Sequence, residues 1–174
     1  MFGWGAKTKP GFQSFLGFPV AYEVSVGAVI FRRTPDNRIE YLLLRYPHGH
    51  WDYVKGHIEA GETHEQTLRR ETHEESGLDA IDIMKGFRTY TRYFYTAKGT
   101  ELVKRKRTGK GIWIFKTVYF YLAEVHDATI EISDEHTGFA WLTFEEAIAK
   151  LSFPATKDIL DKAHTFLRNK TSLG

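Results

Sequence analysis

The sequence predicts an α/β sandwich with a mixed central sheet. Three observations carry this: segments of strand length rich in Val, Ile, Leu and aromatics, a charged helical stretch placed between them, and two helical patterns at the end. At 174 residues the chain is large enough for one good core. Residues 21–174 read as a single domain, and residues 1–20 as an aromatic-rich N-terminal extension that packs on the body or serves an interface.

The elements follow in order. Residues 23–31 (EVSVGAVIF) form a valine-rich strand pattern, and TPDNR at 34–38 supplies turn chemistry. Residues 39–45 (IEYLLLR) form a second strand, so the two make a hairpin. A loop at 46–49 and a short extended piece at 51–54 lead to the charged helix. Residues 80–85 look extended, and 87–96 alternate, with Phe87, Thr89, Thr91, Tyr93 and Tyr95 on one face. Residues 98–111 (KGTELVKRKRTGKG) carry six basic residues and one acid and read as the tip of a long hairpin. Residues 112–125 are the longest strand pattern. Short strands are expected near 130–132 and at 139–142. Thr143 and Glu146 have capping-box spacing and open a helix that Pro154 ends. The last helix carries Ile159, Leu160, Ala163, Phe166 and Leu167 as one apolar stripe that closes the core.

Composition excludes several function classes. Net charge is +2, so no strong global field pulls the chain to nucleic acid or membrane. There is no cysteine, which excludes disulfides and thiolate metal sites and suits a reducing, cytoplasmic compartment. No apolar run reaches membrane-span length. The start of the chain, broken by glycine and proline, does not read as a signal peptide.

The chemistry concentrates in GHIEAGETHEQTLRRETHEESGL, residues 56–78. Thr63 and Gln66 mark a helix start, and Gly77 marks its stop. Between His64 and Ser76 only Leu68 is aliphatic, so the helix is not there mainly to fill a core. Glu71, Glu74 and Glu75 share a face, and like charges so spaced cost roughly 0.2–0.5 kcal/mol per pair in an isolated helix. A solvated charged face accounts for Glu65 with Arg69 and for Arg70 with Glu74, but leaves that cluster unexplained. A hard divalent cation explains it, because Mg²⁺ takes carboxylate oxygens.

The spacing fits G-x₅-E-x₇-R-E-U-x-E-E-x-G-U, with U an aliphatic residue. Gly56, Glu62, Arg70, Glu71, Glu74, Glu75, Gly77 and Leu78 fall in place, and Thr72 stands at the first U. The chain thus resembles the Nudix hydrolases, which cleave a nucleoside diphosphate linked to another group. The resemblance implies an α/β/α sandwich and a Mg²⁺ cofactor, with Mn²⁺ as a substitute. It implies that Glu71, Glu74 and Glu75 are the metal and base set, any of which can take the proton. The backbone carbonyl of Lys55 is a further ligand, Glu62 supports the site from the loop, and Arg70 orients carboxylates. A further acid from a later loop is expected at Glu135, with Asp134 behind it.

Outside the box, VGAVIFRR, IEYLLLR, HWDYVKGHIEAGE, FKTVYFYLAEV and DEHTGFAWLTFEEA resemble the asymmetric diadenosine tetraphosphate hydrolases of animal and archaeal type. That resemblance implies a nucleotide substrate, with Lys55, His57 and Lys116 on its phosphates and Tyr93 and Tyr95 stacking a base. Asp52, Tyr53 and Val54 stand where that family often has prolines. Two other functions stay open: removal of pyrophosphate from an RNA 5′ end through the basic segment, and a non-catalytic nucleotide- or RNA-binding module.

Overall fold

A computed structural model describes residues 14–15, 18–126 and 129–171. Among these, nine strands and four helices follow in order: β1 (Ser14–Phe15), β2 (Phe18–Arg33), β3 (Ile39–Arg45), β4 (Trp51–Asp52), β5 (Val54–His57), α1 (His64–Ser76), β6 (Asp82–Ile83), β7 (Thr89–Thr96), α2 (Gly99–Arg107), β8 (Trp113–Glu124), β9 (Gly138–Leu142), α3 (Phe144–Lys150) and α4 (Pro154–Thr171). The chain falls into two compact units. The larger is Val24–Thr91 with Thr117–Gly174; the smaller is the described part of Met1–Glu23 with Arg92–Lys116. The packing expected of residues 1–20 falls largely outside the described residues.

The sheet is mixed, with strand order β4-β3-β2-β8-β6; β5 joins β2, β7 joins β8 and β9 joins β3. The expected hairpin is present, with Phe31 opposite Tyr41 and Arg33 opposite Ile39. β2 also pairs antiparallel with β5, setting Gly27 against Lys55 and Val26 against Gly56. This pairing delivers the start of the glutamate-rich segment to the sheet.

Strand alternation sorts the larger unit's apolar residues into two clusters, one on each face. Val29, Phe31, Tyr41, Leu43, Val118, Phe120 and Leu122 pack with Ala147, Leu151, Ile159, Leu160, Ala163 and Leu167 of the C-terminal segment. Val26, Ala28, Ile30, Leu42, Leu44 and Ala123 pack with Leu68 of α1. With both faces covered, β3 is buried continuously from Tyr41 to Leu44, which is why LLLR reads as a run and not as an alternation. The fold is therefore the expected α/β sandwich.

Both capping boxes form, at Thr63/Gln66 and Thr143/Glu146. Gly77 closes α1 at φ 73°, a left-handed conformation glycine adopts without a Cβ penalty. Pro154 opens α4 at its first position, where its missing N–H costs nothing. The strand expected near 130–132 does not form. Instead the Glu131 N–H donates to the Ser76 carbonyl (3.0 Å), so this segment is used up by the end of α1.

In the smaller unit the expected hairpin tip is a helix, α2. Six of its nine residues are good helix formers, and it has a polar anchor. Arg105 is buried and donates to Glu101 Oε1 (2.8 Å), to the Gly111 carbonyl (3.0 Å) and to Glu23. The dense basic charge hid this partnership, because one of the six cations is structural and faces inward.

The residues just before Lys55 also have a physical role. Tyr53 is fully buried against Phe120, with ring centroids 5.6 Å apart, and its hydroxyl donates to the Thr156 carbonyl (2.8 Å) in the first turn of α4. Tyr53→Phe should cost about 1–3 kcal/mol, because a buried carbonyl loses its donor while the ring stays. Urea denaturation measures this.

Candidate active site

Lys55 and Gly56 lie on β5, and α1 crosses beside that strand. At Gly56 the helix comes so close that a Cβ would land on the Glu71 carboxylate. This is the physical reason for glycine at the head of the segment: any larger residue would push Glu71 aside.

Arg70 gathers the acids. Its Nε and Nη2 donate to the two oxygens of Glu62 (2.7 and 2.9 Å). Its Nη1 donates to Glu71 Oε1 (2.7 Å) and Glu74 Oε2 (3.0 Å), and Nη2 also donates to the His57 carbonyl (2.9 Å). Every guanidinium N–H is thereby used. Glu62 also accepts from the Glu59 N–H (3.0 Å) and the Thr67 hydroxyl (2.8 Å). The Arg70 hydrogen bonds, with these donors, hold its carboxyl down at about 2. Arg70 is thus more than an exposed ion pair; its side chain is 23% accessible and fixes three carboxylates and one strand end.

Glu71 and Glu75 sit deeper. Burial raises the Glu71 carboxyl, against the pull of Arg70. Burial pushes Glu75 up to about 8, and the Glu71 charge adds to this. Glu75 accepts from the Lys55 backbone N–H (3.1 Å). Thr72, at the aliphatic position of the pattern, is fully buried and its hydroxyl has no partner. It fills space as a β-branched residue would and loses the hydrogen bond.

Around Glu75 stand residues that the sequence did not single out, gathered about Lys55, which it did. Lys55 Nζ bridges Asp52 Oδ2 (3.0 Å) and the Tyr46 hydroxyl (2.7 Å). Tyr46 donates to the Tyr53 carbonyl (3.1 Å) and stacks on His50, with centroids 4.6 Å apart. The buried His136 sets its ring edge against Tyr46, with Nδ1 3.2 Å from the Ser133 hydroxyl and Nε2 3.8 Å from Glu75. Burial, aided by the Lys55 charge, drives His136 down to about 4, so it is neutral near pH 7. Glu135 is exposed beside it, close enough for its charge to act on Tyr46 and Glu75. The sequence signal for His136 was only its adjacency to Glu135; nothing marked Tyr46.

The remaining expected residues are placed as follows. His57 ends β5 and is exposed. Tyr93, Tyr95 and Lys116 belong to the smaller unit. Tyr93 is exposed, with its ring 5.9 Å from that of Tyr95, and the Tyr95 hydroxyl donates to Glu101 (3.3 Å). Burial raises the Tyr95 hydroxyl to about 12. Lys116 is half-buried on β8 between the buried Ile114 and Val118, in the row its spacing predicts.

The donor chemistry suits a hard cation. Glu71 and Glu75 are desolvated carboxylates; the Glu71 charge raises Glu75 and the Glu74 charge raises Glu71, a cost that opposite charge removes. Among the described residues, no three His, Asp or Glu side chains meet at one ion-sized point, because Arg70 takes Glu71 and Glu74.

The Glu62–Arg70 pair makes stability depend on pH with a definite sign. A carboxyl lowered from 4.5 to about 2 contributes stability that is present above the ordinary value and lost as pH falls through about 2. The difference in unfolding free energy between the parent and Glu62→Gln should be constant above about pH 5 and shrink toward pH 2. A difference unchanged down to pH 2 would contradict the pairing.

Comparison with known proteins shows the family. The NUDIX domain pattern matches residues 21–163. The asymmetrical bis(5′-nucleosyl)-tetraphosphatase of Sus scrofa is 38% identical over 152 residues, covering 81% of this chain and 92% of the relative. The Caenorhabditis elegans enzyme of the same name is 30% identical and covers 82% of this chain and 95% of its own length. The crystal structure of a C. elegans Ap4A hydrolase binary complex superposes with a TM-score of 0.67 at 29% identity, covering 84% of this chain and 98% of that one. Nudix hydrolases generally need divalent metals. With the box, the sandwich and these relatives in agreement, the chain belongs to the Nudix family of hydrolases.

Proposed function

We propose that this protein hydrolyses dinucleoside polyphosphates with Mg²⁺, taking diadenosine tetraphosphate and water to ATP and AMP. The observation that carries the reading is the Arg70-centred carboxylate array against the buried Glu71/Glu75 pair. The relatives' activity supplies the substrate class. The absence of cysteine suits work in the cytoplasm.

Water oxygen forms a bond to one phosphorus, a bridging P–O bond breaks, and the proton passes to a carboxylate. Mg²⁺, when bound, neutralises phosphate charge and lowers the pKa of a water. Glu71, Glu74 and Glu75 would hold the metal with the Lys55 carbonyl, and one of the glutamates would take the proton. Glu62 and Arg70 keep them in place. Glu135 contributes from its loop. Lys55, His57 and Lys116 offset the charge of the phosphate chain, and Tyr93 and Tyr95 stack a base.

Product analysis tests the proposal. Diadenosine tetraphosphate with Mg²⁺ should give equimolar ATP and AMP, and Glu74→Gln should lose most turnover while remaining folded. Two molecules of ADP, no turnover, or a fully active variant would contradict it.

A further inference from the structure

The chemistry just described gives His136 no part, yet its imidazole lies deep in the site. The side chain is 0% accessible, and among the described residues no donor or acceptor meets its Nε2. A buried polar atom without a partner is costly, and an apolar ring would pack in its place without that cost. The polar atom it faces is Glu75 Oε2, 3.8 Å away and too far for a hydrogen bond.

The loop that carries His136 is tied down on two sides. The Glu131 N–H donates to the Ser76 carbonyl (3.0 Å) and the Ser133 N–H to the Glu75 carbonyl (3.4 Å), so the loop hangs on the end of α1. The Thr137 N–H donates to the carbonyl of Arg45 (2.8 Å), the last residue of β3. Between these anchors the His136 N–H donates to the Ser133 carbonyl (3.0 Å) and closes a turn. Tyr46 lies against the imidazole, with centroids 4.5 Å apart. The ring is therefore held at a fixed place relative to Glu75.

Two proton arrangements fit the contact between Nδ1 and the Ser133 hydroxyl (3.2 Å). With the proton on Nδ1, Nε2 would turn a lone pair toward the Glu75 carboxylate, two acceptors facing each other in a buried place. With Ser133 donating to Nδ1, the proton sits on Nε2 and points at a carboxylate oxygen. The surroundings favour the second. Oε2 already accepts from the Lys55 backbone N–H (3.1 Å), so both donors converge on one oxygen of Glu75.

We propose that His136 is a positioning residue for Glu75: with Ser133 donating to Nδ1, its Nε2–H donates to Oε2 when a divalent cation binds, which leaves Oε1 to the cation. This role rests on Glu75 being one of the metal-holding glutamates. A shift of about 1 Å closes the present gap. Carboxylates that hold a metal are themselves hydrogen-bonded, and loss of such a partner weakens the metal about 10–100-fold.

Two measurements test the role. Long-range ¹H–¹⁵N NMR of the metal-free protein should show His136 with its proton on Nε2; a proton on Nδ1 would overturn the proposal. Binding of Mn²⁺ alone, read from the EPR signal of the free ion, gives the second. Glu75→Gln and His136→Phe should each weaken Mn²⁺ about tenfold or more. His136→Gln, whose amide nitrogen reaches the place of Nε2, should stay within about threefold of the parent. His136→Asn, whose amide reaches only the place of Nδ1, should bind as weakly as His136→Phe. Parental affinity in His136→Phe with a loss in Glu75→Gln would overturn the role of His136 and leave Glu75 as a metal-holding residue. Parental affinity in both would overturn both. Equal losses in His136→Phe and His136→Gln, with parental circular dichroism, would assign His136 to packing and overturn the proposal.

Discussion

Five N–H donors of one side chain decide the geometry of the hydrolytic site. Arg70 holds Glu62, Glu71, Glu74 and the His57 carbonyl, so the helix, the preceding loop and strand β5 are tied at a single group. Like charges gathered this closely repel, and the guanidinium offsets that repulsion. Lysine could not replace it, since an ammonium has three donors and no planar fork. The glycine at position 56 completes the arrangement by leaving room for Glu71 against the strand.

A second constraint lies deeper. Glu75 is held in a place where its charge is unfavourable, with one backbone N–H and the nearby Lys55 as compensation. Such a carboxylate weakens the fold and readies the site for a hard cation. Asp52, Tyr46 and Tyr53 then keep Lys55 from collapsing onto Glu75: its ammonium is bound to the first two, and Tyr46 is bound to the backbone of the third. Asp52 and Tyr53 thus do two jobs, fixing the lysine and docking α4.

Much of this was legible in the sequence, and the reasons are local. Helix α1 announces itself through Thr63, Gln66 and Gly77, whose roles depend only on near neighbours. The alternation of β2 and β8 and the stripe of α4 state which faces are buried. The carboxylates were readable because their spacing makes little sense without a cation. Three things were not readable. Helix α2 depends on Arg105 reaching Glu23, 82 residues away in the chain. His136 and Tyr46 meet Glu75 and Lys55 only through the sheet, and no spacing rule connects them. The segment at 130–132 has strand composition but spends its N–H on the end of α1.

The central claim is that Arg70 acts by holding carboxylates and not by touching substrate. Steady-state kinetics of Arg70→Lys with diadenosine tetraphosphate and Mg²⁺ test it most directly. The charge is kept and the fork is lost, so kcat should fall about 100-fold while KM stays within about threefold and the fold is retained. Parental kcat in that variant, or a loss confined to KM, would contradict the account.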